Sequence, residues 1–244
     1  MMKKLLFIVV IFTSCQKSPF DFMVEEGPVI VETRQLAPFD TLHINDILDV
    51  TLVPDTACFI EISSGKNIIP YILSDVQSGI LTLDNTIKGR WARPYHHPKI
   101  SLHVQDLSSI VLNEACNLTS SDSINCGNLY MLVNSELASI DMVLKGNYFD
   151  LALRYTCSGH CSFKGYLNRA KFFSGGTTEL DASLLSVNSA VLFQNSVSDM
   201  QVWVTKEITD LRNFKGGNVF VKGQPSIVHY HEKKDSVNVF FLEK

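Results

Sequence analysis

From Asn113 to Gly223 the sequence falls into rows that begin at Asn113, Asn134, Arg154, Ser174, Gln194 and Phe214, with successive lengths of 21, 20, 20, 20 and 20 residues. A fixed period of this size constrains the fold more than any composition does. Each row is one coil of a solenoid, able to bury its apolar positions only against its neighbours. At about 3.3 Å per residue, 20 residues give a perimeter near 65 Å, room for two or three short strands and their turns around a side-chain core. Three columns carry similar residues from row to row: Cys116, Leu137, Cys157, Thr177, Val197 and Gly217; Ile140, His160, Leu180, Met200 and Phe220; Val133, Leu153, Phe173, Phe193 and Asn213. Stacked in this way they are expected to be interior ladders.

Before the rows, the text is β-rich. Val29–Thr33 is β-branched, and Phe39–Ile44, Asp49–Val53, Phe59–Ile62, Ile80–Leu83 and Lys99–Val104 are short runs, most of them with period two. Such runs between Gly, Pro, Asn and Asp read as strands, expected to form an antiparallel part ahead of the coils. A helical turn fits only within Ile68–Val76, where Pro70 limits it. After the rows, strands around Val228–Tyr230 and Val237–Phe240 flank the charged turn Glu232–Asp235. Residues 226–244 would suit a C-terminal cap, because an open solenoid leaves bare strand edges.

The first residues read as an export signal. Lys3 and Lys4 precede an unbroken apolar run, Leu5–Phe12, and Thr13-Ser14 stands before Cys15. Eight apolar residues are too few to span a bilayer, which takes roughly 20. Phe12-Thr13-Ser14-Cys15 resembles a bacterial lipobox, so residues 1–14 are expected to be removed and Cys15 acylated, with residues 15–26 as a tether and 27–244 as one domain. Loss of Lys3 and Lys4 lowers Lys+Arg from 21 to 19 against 25 Asp+Glu, a net charge of −6. That balance disfavours nucleic acid, which selects a basic face.

Little in the chain reads as chemistry. Beyond Cys15, five cysteines remain, an odd number that cannot all pair internally. Cys157 and Cys161 could meet across a turn, but small buried hydrophobes are the simpler reading. Cys157-Ser158-Gly159-His160-Cys161 offers three potential ligands where zinc takes four, or three and water. On a strand His160 would also point away from both cysteines, and its column suggests a core histidine. His229 and His231 make only a pair. No metal or other cofactor is therefore expected. Asp141 and Asp181 share a column, two coils apart with Cys161 between them; hydrolysis by paired carboxylates needs acids facing one another across a groove, whereas these two read as solvated outward positions, and no catalytic residue is assigned. The basic, aromatic stretch Thr86–Pro98 reads as a long loop, with Arg90, Trp91, Arg93, Tyr95 and His96 as candidate binding residues.

The stretch from Pro28 to Leu42, with Arg34 two residues before Leu36 and then Phe39-Asp40, resembles the opening of the auto-transporter adhesin "head GIN" domain family. Asp49–Leu52, Asn67–Ile69, Gly79–Leu83 and the closing Gly217-x5-Gly223-x-Pro225 continue the likeness from about Gly27 to Pro225. The resemblance implies a right-handed β-helix-like solenoid in an exported or lipid-anchored protein, and its name implies adhesion. Only Ser174-Gly175-Gly176 and Lys215-Gly216-Gly217 keep the family's Ser-Gly-rich corners. Four Asp-Ser/Thr-aliphatic triplets resemble an O-glycosylation sequon, at Thr41, Thr56, Ser123 and Ser236.

The resulting expectation is an all-β solenoid on a lipid anchor in the outer membrane, non-enzymatic, with a glycan or protein as ligand. The rivals are a carbohydrate-active enzyme on the same scaffold and a periplasmic structural or sensing partner.

Overall fold

The computed structural model describes residues 25–88, 96–154, 156–214, 216–231 and 238–242. It is a β-solenoid of about six turns. From the middle of the chain onward each coil is nearly one continuous bent strand. β11 (Leu137–Leu153), β12 (Ser158–Gly176), β13 (Glu179–Ser196) and β14 (Met200–Asn213) pair in parallel, each with the next. In β11 and β12 the chain uses glycine inside the strand. Gly146 and Gly165 have φ of 146° and 115°, and a Cβ on either would collide with the backbone oxygen of Cys126 or Leu144 on the neighbouring rung.

The rungs nearer the N-terminus are out of sequence order. β2 (Thr41–Ile44) lies between β6 (Ile80–Asn85) and β8 (Ser109–Leu112), parallel to both. β3 (Asp49–Pro54) likewise lies between β7 (Lys99–Val104) and β9 (Cys116–Ser120). The coil made first along the chain is therefore second in space. β8 then pairs with β10 (Ile124–Val133), and β9 with β11. Much of the part expected to be antiparallel is thus already solenoid.

The antiparallel strands lie at the N-terminal end. β4 (Phe59–Gly65) pairs antiparallel with β7, β1 (Val29–Gln35) with β4, and β5 (Ile72–Gln77) with β6. Between β4 and β5 a single 3-10 turn, Ile69–Tyr71, occupies the place where a helical turn was expected, with Pro70 inside it. Arg34 fastens this turn to β1: its guanidinium donates to the carbonyls of Ile72 (2.6 Å) and Ile69 (3.2 Å). Glu25 and Glu26, placed by sequence at the end of the tether, are held to the body, where Asn67 donates to both their carbonyls. At the other end β16 (Ile227–Tyr230) and β17 (Val239–Leu242) form the last rung, against β14 and β15 (Val219–Lys222). The charged turn expected in the cap lies outside the described residues.

Pairing corrects the three columns. The corner at Arg154–Cys157 makes Ile140 pair with Cys161, 21 residues on, rather than with His160. Because side chains alternate between faces, a one-residue slip moves each of them to the other side. The interior column is Leu118, Ile140, Cys161, Leu180, Met200 and Val219, while His160 pairs with Ser139 and Glu179 on the outside. Leu137 and Val197 are about 60% exposed. Phe173 and Phe193 also face outward: they continue the column Val111, Leu132 and Ala152 and end against Arg212.

One interior column changes character along the axis. Ile44, Leu112, Val133 and Leu153 are apolar; the next three rungs place Ser174, Gln194 and Asn213 there, all buried. These polar groups close the corners. The Gln194 amide donates to the Ser198 carbonyl at 2.7 Å, and the Asn213 amide to the Gly217 carbonyl at 2.9 Å. Ser196 Oγ donates to the Gly176 carbonyl at 3.1 Å. Ser174 Oγ and Thr178 Oγ1 are buried and have no hydrogen-bond partner among the described residues.

Candidate functional site

Two outward sides of the coil differ in chemistry. The side built from β3, β9 and the first halves of β11, β12 and β13 is polar. One of its columns runs Asp49, Asn117, Ser139, His160 and Glu179. A notch of about 220 Å³ opens there between His97 and His160. Both histidines already face carboxylates, with His97 Nδ1 at 3.6 Å from Asp49 and His160 Nδ1 at 3.4 Å from Glu179. In the next column Asp141 and Asp181 are separated by Ser162 rather than Cys161. Asp141 is paired with Lys164 at 3.0 Å, and Asp181 accepts the Ser183 amide at 2.9 Å. The two carboxylates thus serve separate local partners.

The second side, built from β10 and the later halves of β11 to β14, carries the larger concavity. It is a cleft of about 590 Å³ lined by Tyr130, Asp150, Ala152, Lys171, Phe173, Phe193, Asn195, Arg212 and Phe214. Its origin lies in register. The outward column runs Leu132, Ala152, Phe173 and Phe193, so one small residue leaves space between larger side chains. A neighbouring column places Tyr130, Asp150 and Lys171 on successive rungs. Asn195 and Phe214 sit at the corners closed by Gln194 and Asn213. Tyr130 and Phe214 are 39% and 52% exposed.

The charges of the cleft come in pairs. Lys171 Nζ donates to Asp150 at 3.2 Å, and the Tyr148 hydroxyl donates to the same carboxylate at 3.3 Å. Burial, and then the negative charge of Asp150, push the Tyr148 phenol above its ordinary range. Arg212 donates twice to Asp210 Oδ2, at 3.0 and 2.6 Å, with its guanidinium carbon 4.8 Å from the centroid of Phe193. This cation–π contact makes the arginine both a polar and a flat apolar surface. The Tyr130 hydroxyl and the Asn195 amide make no side-chain hydrogen bond among the described residues.

Of the residues singled out by sequence, Arg90, Trp91, Arg93 and Tyr95 lie outside the described residues, as do Cys15 and Ser236. His96 is described: its backbone amide and ring both meet the Glu26 carboxylate, at 2.8 and 3.0 Å. Thr41 is half-buried in β2, between Ile80 and Ser109, and its hydroxyl donates to Asp40. Thr56 is exposed on a turn and Ser123 half-buried on another. Cys58, Cys116, Cys126, Cys157 and Cys161 are unpaired, and all but Cys58 are buried. Burial pushes the thiols of Cys116 and Cys126 up to about 12, out of reach of thiolate chemistry. No group of three or more metal-ligating side chains occurs among the described residues. Sequence reasoning placed Phe173 and Phe193 in the core, and so missed the cleft they line.

The profile of the family described as "Putative auto-transporter adhesin, head GIN domain" matches residues 38–225. No curated protein matches the chain. Among solved structures, a "putative adhesin" from Bacteroides fragilis superposes with a TM-score of 0.76 at 19% identity, over 88% of this chain and 96% of that one. A "putative adhesin" from Parabacteroides merdae gives 0.59 at 13% identity, over 89% and 97%. A "putative lipid binding protein" from Parabacteroides distasonis gives 0.53 at 17% identity, over 89% and 98%. At these identities the likeness is one of fold.

Proposed function

Because the chain belongs to the auto-transporter adhesin, head GIN domain family, we propose that it is a non-enzymatic lipoprotein of the cell envelope, anchored through Cys15, whose solenoid makes adhesin-like contacts. The family supports an adhesin-like role and a place in the envelope or outside the cell. The observation that carries the reading is the aromatic cleft. Four rings, an arginine and an unbonded amide are gathered on one outward side of a stiff parallel sheet. Exposed Tyr, Phe and Arg on a rigid support are the side chains that dominate binding contacts. In this reading residues 15–24 are the tether, Glu25 and Glu26 already belonging to the body, and exposed Thr56 is the most accessible of the described O-glycan positions.

The test uses the mature body, residues 25–244, displayed on beads through an added N-terminal cysteine. Beads carrying the wild-type body should bind host or bacterial cell surfaces, and beads carrying Phe173→Ala and Phe214→Ala should lose most of that binding. Equal binding by both, with both folded, would remove the cleft as contact face. Protease added to intact cells addresses the anchor's side. Degradation of the body while a periplasmic control survives supports an outward-facing adhesin, and survival of both until lysis overturns it.

A further inference from the structure

We propose that the cleft binds an extended, uncharged glycan lying along the solenoid axis. This rests on the reading of the aromatic side as the contact face and names its ligand.

The lining asks for a ligand with both apolar faces and many hydroxyls. Tyr130, Phe173, Phe193 and Phe214 supply rings against which the C–H faces of a sugar can pack, and Ala152 leaves the room between them. The polar groups are arranged as neutral pairs, Asp150 with Lys171 and Asp210 with Arg212. A charged ligand would have to compete with one member of each pair. A hydroxyl avoids that conflict, since it donates to a carboxylate and accepts from a cation through the same oxygen. The Tyr130 hydroxyl and the Asn195 amide, on different rungs of the cleft, add donors and acceptors that make no side-chain hydrogen bond among the described residues.

Spacing favours a chain over a single ring. The outward positions repeat on every rung, about 4.8 Å apart, close to the advance of one sugar residue in an extended glycan. Tyr130, Asp150, Lys171 with Phe173, Phe193, and Arg212 with Phe214 lie on successive rungs. A peptide in β form is recognised through a sheet edge, whereas this cleft lies on a sheet face whose backbone groups are spent in the ladder. An acyl chain would cover the two ion pairs and the amide without bonding to them, which is costly.

The test is affinity electrophoresis of residues 25–244 in gels containing a soluble polysaccharide. The panel holds mixed-linkage glucan, xylan and galactomannan as neutral probes, polygalacturonate as an acidic one, and phosphatidylcholine vesicles in a parallel flotation assay. At least one neutral polysaccharide should retard the protein, with retardation insensitive to salt. Phe173→Ala should weaken it by about tenfold or more, the scale of an aromatic binding contact. Ala152→Trp, which fills the cleft, should abolish it while leaving the melting temperature near wild type, and Asp141→Asn on the polar side should leave it unchanged. The proposal is overturned if no neutral polysaccharide retards the protein, if retardation occurs only on polygalacturonate and vanishes in salt, if only vesicles bind, or if folded Ala152→Trp binds like wild type. Bead adhesion that depends on Phe173 but is blocked by none of the neutral polysaccharides would leave the contact face standing and remove the glycan.

Discussion

One column inside the coil is solved in two ways. On the rungs of Ile44, Leu112, Val133 and Leu153 the corner is filled with hydrocarbon. On the rungs of Ser174, Gln194 and Asn213 it is filled with polar side chains, two of which bond to carbonyls of their own corner. The apolar solution is held by the area it removes from water, which has no preferred direction. The polar solution gains little net energy per hydrogen bond but is directional, so it fixes the corner backbone. The cleft lies beside the second kind. Asn195 and Phe214 project from corners that Gln194 and Asn213 hold, so directional hydrogen bonds beside the cleft set where its side chains sit.

Mutations can break this contrast or sharpen it. Leu153→Ala in the apolar half should cost about 2–5 kcal/mol, because the cavity opens in a packed core; urea denaturation of residues 25–244 measures it. Gln194→Leu asks whether the polar half can be converted to the apolar kind. It should cost roughly 1–2 kcal/mol, since the half-buried Ser198 carbonyl loses its donor. A neutral result in the same urea series would show the two halves to be interchangeable. Asn113→Ala breaks the outer ladder in which Asn134 donates to Asn113 and Asn113 to Asn45, both at 2.8 Å. That ladder is exposed, so a loss of about 1 kcal/mol or less is expected in thermal melts. Ser174→Ala should have the smallest effect, neutral to slightly stabilising, because Ser174 Oγ is buried without a partner among the described residues. A clear loss of stability there would mean that the hydroxyl holds something, and calorimetry would detect it.

The halves were not equally legible in the sequence. The period was plain because five rows differ in length by at most one residue. That one residue decided the rest. The pairing of Ile140 with Cys161 shifts the register at a single corner, and with it the assignment of His160, Phe173 and Phe193 to core or surface. A strand has no internal signal to choose between faces when both carry apolar side chains, and Phe173 reads as well inside as out. The polar corners were hidden for a related reason: Gln194 and Asn213 look like turn residues, and their burial depends on a carbonyl four positions ahead. The head GIN likeness carried the fold, but it assigned no residue to the cleft.

The displaced first coil sets how such a molecule can be made. β2 and β3 leave the ribosome early, yet each finds its parallel partners only after β6, β7, β8 and β9 exist, with Asn45 meeting Asn113 across 68 residues. Ordinary repeat arrays can nucleate anywhere and propagate from neighbour to neighbour. Here a long loop must close before β2 and β3 gain their partners, so the N-terminal third is expected to form more slowly than the regular coils, which pair neighbour to neighbour.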